Sequence, residues 1–112
     1  MKIAIPTANS LLCPHFGHCD EFTFVSVNPD TKEITETEVI TAPEHEPGLL
    51  PRWVHEKGAS LVIAGGMGVR AQDIFKANDV QVIVGAPVAP PADVVKAYLD
   101  GTLVSGSNLC DH

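Results

Sequence analysis

The chain is short of positive charge. Lys and Arg number 7 against 14 Asp and Glu over 112 residues, a formal net charge of −7, and the only arginines are Arg52 and Arg70. Nucleic-acid binding needs Lys and Arg on phosphates, and adhesion to an anionic membrane draws on the same residues, so the composition argues against both partners. Long apolar runs are also missing. None nears the length of a membrane span, and Met1-Lys2 leads straight into Ile3-Ala4-Ile5-Pro6 without the apolar core of a secretory signal. The expected location is cytoplasmic. Cysteine is scarce and odd in number, with Cys13, Cys19 and Cys110. In a reducing compartment such a set favours metal-binding or free-thiol roles over a disulfide framework. Internal repeats, low-complexity tracts and blocks of like charge are absent.

What remains is enough for a core. The hydrophobic content is 45%, and 112 residues suffice for one domain but not two. Residues 1–112 are therefore expected to form a single domain with a flexible Gly/Ser/Asn-rich tail over about 104–112. Residues 2–6 read as a buried strand ended by Pro6, and 7–20, with Pro14 and Gly17, as a loop. Residues 21–28 alternate in the manner of a half-buried strand, Asn28-Pro29-Asp30 is a turn, and 33–41 is a second strand. Glu33, Glu36 and Glu38 suit a solvated sheet edge better than a catalytic carboxylate set.

The pattern then changes to alternating helix and strand. Helices are expected over 49–57, 69–78 and 91–100, with Gly58 and Gly101 as stops and Pro91 in a first turn. Buried strands are expected at 61–64 and 80–84. The order β-β-β-α-β-α-β-α predicts an α/β fold, a mixed five-stranded sheet flanked by helices, of ribonuclease-H-like type. Strands 61–64 and 80–84 should run parallel to 2–6, and the 21–41 hairpin antiparallel.

Three segments can carry chemistry. Cys13-Pro14-His15-Phe16-Gly17-His18-Cys19 places two thiols and two imidazoles within seven residues, the soft and borderline ligands of zinc, copper(I) and iron–sulfur units. Its spacing fits no common zinc finger, and a buried turn in which Phe16 packs is the alternative. Cys110-Asp111-His112 adds a thiol and an imidazole at the terminus. Gly65-Gly66-Met67-Gly68-Val69-Arg70 joins a strand to a helix. Small residues admit a ligand to the backbone there, first-turn N–H groups can point at an anion, and Arg70 adds a planar cation. The turn is neither a P-loop, since no Gly-Lys-Ser/Thr follows, nor a dinucleotide fingerprint. A tight strand–helix corner is its plain structural alternative. Ser60, Ser105 and Ser107 lie in no nucleophile elbow, and His45 and His55 stand alone.

Taken together, the pattern resembles the dinitrogenase iron–molybdenum cofactor biosynthesis family. The resemblance rests on Met1-Lys2-Ile3-Ala4-Ile5-Pro6-Thr7, on His15-Phe16-Gly17-His18 with Phe22 after it, on Ala64-Gly65-Gly66-Met67-Gly68 with Arg70-Ala71, and on Tyr98-Leu99-Asp100-Gly101-Thr102-Leu103. It implies a ribonuclease-H-like fold without that enzyme's catalytic carboxylates. It also implies binding or carriage of molybdenum- or iron-containing sulfide clusters in cofactor assembly or storage, with donor or acceptor proteins as partners. Small stand-alone members of one subgroup hold a molybdenum–copper sulfide cluster. The cofactor-binding residues expected here are His15, Phe16, Gly17, His18, Gly65, Gly66, Met67, Gly68 and Arg70. Cys13, His15, His18, Cys19, Cys110 and His112 are the candidate metal ligands. An anionic cluster could also be held without protein–metal bonds, by backbone N–H groups, Arg70 and imidazolium. The expected protein is not an enzyme; the alternatives are a small thiol-dependent enzyme and a metal-free regulatory module.

Overall fold

The computed structural model describes residues 1–13, 20–43 and 49–103. Its elements are β1 (Lys2–Ala8), β2 (Leu11–Leu12), β3 (Glu21–Asn28), β4 (Glu33–Thr41), α1 (Leu49–Glu56), β5 (Leu61–Ile63), α2 (Val69–Ala77), β6 (Gln81–Ile83) and α3 (Pro91–Asp100). The main strands lie in the order β4-β3-β1-β5-β6, and β2 pairs with β1 off this path. β3 is antiparallel to both β1 and β4, while β1 and β5, and β5 and β6, are parallel. The mixed sheet and its strand directions are those expected from the sequence.

Side-chain alternation in β1 divides the core between the two faces. Ile3 and Ile5 join Val25, Val27, Leu61 and Ile63 beneath Val94 and Val95 of α3. Ala4 joins Phe22, Phe24 and Val62 beneath Leu50 and Val54 of α1 and Phe75 of α2. Trp53 stands edge-on to Phe22 and Phe24 at 5.5 and 5.7 Å between ring centroids, a favoured aromatic geometry. Thr7 and Thr23 are buried on the α3 face, and their hydroxyls bond each other at 3.1 Å. Gly58 and Gly101, with φ of 91° and 74°, follow α1 and α3 in the left-handed conformation of a helix stop.

Three expectations change. First, the sheet has a sixth, two-residue strand, β2, within the segment read as loop. Asn9 and Ser10 have φ of 55° and 65°, the two positive values of a type I′ hairpin turn, and they fold Leu11-Leu12 back onto Thr7-Ala8. Second, Pro6 lies inside β1 and does not end it. Val27 N–H donates to Met1 O at 2.8 Å, so odd positions of β1 bond β3 and even ones turn their backbone to the other side. On that side β5 pairs with Ile3 and Ala4 and then stops. The N–H that Pro6 lacks is thus missing where no β5 carbonyl waits for it. Third, the 80–84 strand is only Gln81–Ile83 and is half-exposed, because β6 is an edge of the sheet. β4 is the other edge, and its exposed Glu36 and Glu38 lie along it. The tail expected over about 104–112 lies outside the described residues.

Ser10 carries a Cβ in a conformation that costs an L-residue roughly 1–2 kcal/mol. Ser10→Gly should therefore raise the unfolding free energy by about 1 kcal/mol in urea titrations, by creating the Asn-Gly pair that type I′ turns prefer. A loss of stability would contradict the turn assignment.

Candidate functional site

Three chain segments meet where the parallel strands end. β5 is wholly buried and runs into Ala64, Gly65, Gly66 and Met67, all buried as well. The segment after β6 is tied to this turn: Ala64 N–H donates to Ile83 O at 2.9 Å, Gly85 N–H to Gly65 O at 2.8 Å, and Ala86 N–H to Ala64 O at 3.1 Å. β2 brings in the third segment, with Leu12 N–H donating to Ala89 O at 2.9 Å and Cys13 N–H to Pro6 O at 2.8 Å. Pro6 stands two residues beyond Ala4, the last β1 residue paired with β5. Cys13 therefore takes the place along β1 that β5 gives up as it turns into the glycines. The 13–19 segment thus begins at the same end of the sheet as the 65–70 turn.

The turn opens onto α2 without a side-chain cap. Gly68 is the N-cap residue, with φ −65° and ψ 153°, and among the described residues no side chain caps the first turn. Gln72 N–H makes the first helical bond, to Gly68 O at 3.2 Å. The N–H groups of Val69, Arg70 and Ala71 precede that bond and have no partner within the helix. Gln72 also donates through Nε2 to Met67 O at 2.9 Å, fixing the turn from its other side. Arg70 is exposed in the first turn, where there is no acidic residue. A cation at this end of a helix opposes the macrodipole, an arrangement that an anion held there would reverse. The site can therefore hold an anion through backbone donors and one guanidinium, on a protein whose overall charge is negative.

Among the described residues, Gly68 has nothing within 4 Å of the place a Cβ would occupy. Its dihedral angles suit any residue, so the missing side chain leaves room at the mouth of the turn. Two recesses lie elsewhere. One of about 540 Å³ runs along β6 between Lys76 and Ile83. The other, of about 430 Å³, is lined by Asn9, Ser10, Asp20, Glu21 and Thr41, and its two carboxylates make it a poor anion site.

Of the sequence-predicted site residues, Gly65, Gly66, Met67, Gly68 and Arg70 share this one turn. His15, Phe16, Gly17, His18, Cys19, Cys110 and His112 lie outside the described residues. Among the described residues no three His, Cys, Asp or Glu side chains gather in a metal-binding group. Cys13 is 6% exposed and disulfide-bonded. A sulfur held in a disulfide is not a thiolate ligand in that state. His55 is exposed on α1, away from this turn in the chain. Gly85, Ala86 and Ala89, which tie the segments together, were not singled out by the sequence reading. Their one signal was a Gly-Ala-Pro break after an apolar run.

A mixed sheet flanked by helices, with small residues where its parallel strands end, defines an α/β protein. The family is defined by sequence: residues 1–101 match the dinitrogenase iron-molybdenum cofactor family, and the chain belongs to it. An uncharacterized protein of Methanocaldococcus jannaschii is 31% identical over 108 residues, covering 92% of this chain and 89% of its own. The crystal structure of PH0822 superposes with a TM-score of 0.86 at 30% identity over 94% of each chain. The apo form of the orange protein from Desulfovibrio gigas shares the fold, with a TM-score of 0.70 at 20% identity over 96% of this chain and 93% of that one.

The open space at Gly68 is testable without a ligand. Gly68→Ala should change the unfolding free energy by less than about 0.5 kcal/mol, as for surface positions. Gly101→Ala, forced to φ 74°, should cost about 1 kcal/mol or more. Equal losses in chemical denaturation would mean that the turn is closed around Gly68.

Proposed function

We propose that this protein binds an anionic metal–sulfur cluster, molybdenum with iron or copper, and carries or stores it as cargo in cofactor assembly. The observation that carries the reading is the convergence of Leu12-Cys13, Gly65–Gly68 with Arg70, and Gly85–Ala89 at one end of the parallel strands. Membership of the iron-molybdenum cofactor family gives the anion its chemical class. The molybdenum–copper subgroup is the finer form of the proposal, and proteins that deliver or receive the cluster are its partners. The strand order, with a long antiparallel hairpin on one side of β1 and two parallel strands on the other, supports a ribonuclease-H-like classification.

Backbone N–H groups of the turn and of the first α2 residues would bond the sulfides, and Arg70 would supply a charge-assisted donor. These groups hold an anion without providing a base or a nucleophile, so the reading includes no catalytic centre of the protein's own. A thiol-dependent enzyme is less favoured, since Cys13 is buried and already in a disulfide.

The experiment is anaerobic reconstitution with tetrathiomolybdate, with and without copper or iron, followed by gel filtration, visible absorption and metal analysis. The expected result is a coloured protein with a fixed metal stoichiometry. A hydrogen bond to a charged group contributes about 1.5–3 kcal/mol, so Arg70→Ala should weaken uptake about tenfold or more. Colourless wild-type protein, or uptake unchanged in Arg70→Ala, would overturn the proposed site.

A further inference from the structure

Gln72 reaches back across the first turn of α2. Its Nε2 donates to Met67 O at 2.9 Å, and the pair is partly buried. The described peptide bonds are trans, so the C=O and N–H of the Met67–Gly68 peptide point in opposite directions. Anchoring Met67 O against α2 therefore turns Gly68 N–H away from the Gln72 carboxamide. Among the described residues nothing accepts a hydrogen bond from that N–H, nor from those of Gly65 and Gly66. Gly65 and Gly66 are buried, and buried N–H groups without an acceptor are rare in native proteins. Orphaned donors of this kind call for a partner from outside the chain. They mark the place of an anion independently of the uncapped helix start.

We propose that Gln72 is a positioning residue for that anion. Its carboxamide locks the Met67–Gly68 peptide so that the ligand side meets the N–H and not the C=O. The chemical class of the anion rests on the carrier reading. Glycine at position 68 makes the lock necessary. Its φ is −65°, but a residue without a Cβ adopts positive φ as readily. Among the described residues nothing lies within 4 Å of its Cβ position to hold it. The peptide can therefore turn over with only the backbone of Met67 and Gly68 moving. Turned over, it would aim a carbonyl oxygen at the anion, replacing a donor with a partial negative charge. The hydrogen bond from Gln72 to Met67 O opposes that rotation.

The test uses the full chain. Gln72→Met keeps the length of the side chain and a similar helix propensity, but it cannot donate. Tetrathiomolybdate is the probe, its uptake read anaerobically by visible absorption after gel filtration. The Gly68 amide in ¹⁵N–¹H spectra of the unliganded protein is the second readout. The expected result is binding weakened about tenfold or more. The Gly68 signal, single in the wild type, should split or broaden as the peptide samples both orientations. Loss of a merely structural bond would shift that signal and leave it single. Gln72→Glu also loses the donor at neutral pH, and its charge suits the start of a helix. It should show the same splitting, and it decides the matter should Gln72→Met not fold. A single Gly68 signal in both variants, or uptake by Gln72→Met equal to that of the wild type, would overturn the positioning role. Wild-type protein that takes up no thiomolybdate, with the Gly68 signal split in the variants, would overturn the carrier reading alone.

Discussion

Everything at the end of the parallel strands follows from a change of partner along β1. That strand is bonded on both sides: β3 along one side from Lys2 to Thr7, and on the other β5 only at Ile3 and Ala4. Beyond Ala4 the second side belongs to β2 and Cys13. A proline at position 6 has no N–H to offer on that side, so a longer β5 would leave a carbonyl there without its donor. β5 is short, Leu61–Ile63, and its chain leaves the sheet as Ala64-Gly65-Gly66. The glycine turn, the uncapped start of α2 and the placing of Cys13 beside them are consequences of where β5 stops.

Those consequences bear on the proposal that a protein of net charge −7 binds an anion. Long-range attraction is unavailable, and at physiological ionic strength charges more than about 8 Å apart are largely screened. The proposed binding rests on contacts made at close quarters by oriented N–H groups and one guanidinium. The carboxylates of Glu33, Glu36 and Glu38 are on β4, an edge strand with β3 between it and β1. There they also discourage edge-to-edge pairing with another sheet.

Much of this frame was legible in the sequence, and the exceptions have specific causes. Two of the three helices are marked by such residues, α1 by Gly58 and α3 by Pro91 and Gly101, whose conformational preferences act locally. Buried runs such as Leu61-Val62-Ile63 mark the parallel strands. β2 was not legible, because its turn uses Asn9-Ser10 in place of the Asn-Gly or Asp-Gly pair that signals a type I′ hairpin. Pro6 reads as a strand end when only its missing donor is considered; which side of the strand lacks a partner is a tertiary fact. The disulfide of Cys13 was likewise out of reach, since thiol pairing depends on distances that spacing does not encode. In the candidate site, the glycine turn and Arg70 were legible as a strand–turn–helix motif. The segments that tie it to Leu12 and Gly85 come from sheet register alone.

The central claim is that one end of the sheet receives the cluster. Backbone amide NMR of ¹⁵N-labelled protein, titrated with tetrathiomolybdate and copper(I), tests it most directly. The account predicts shifts concentrated at Leu12-Cys13, Gly65–Ala71 and Gly85–Ala89, with β4 and the recess along β6 unmoved. Shifts concentrated at β4 or along β6, with the glycine turn silent, would contradict it.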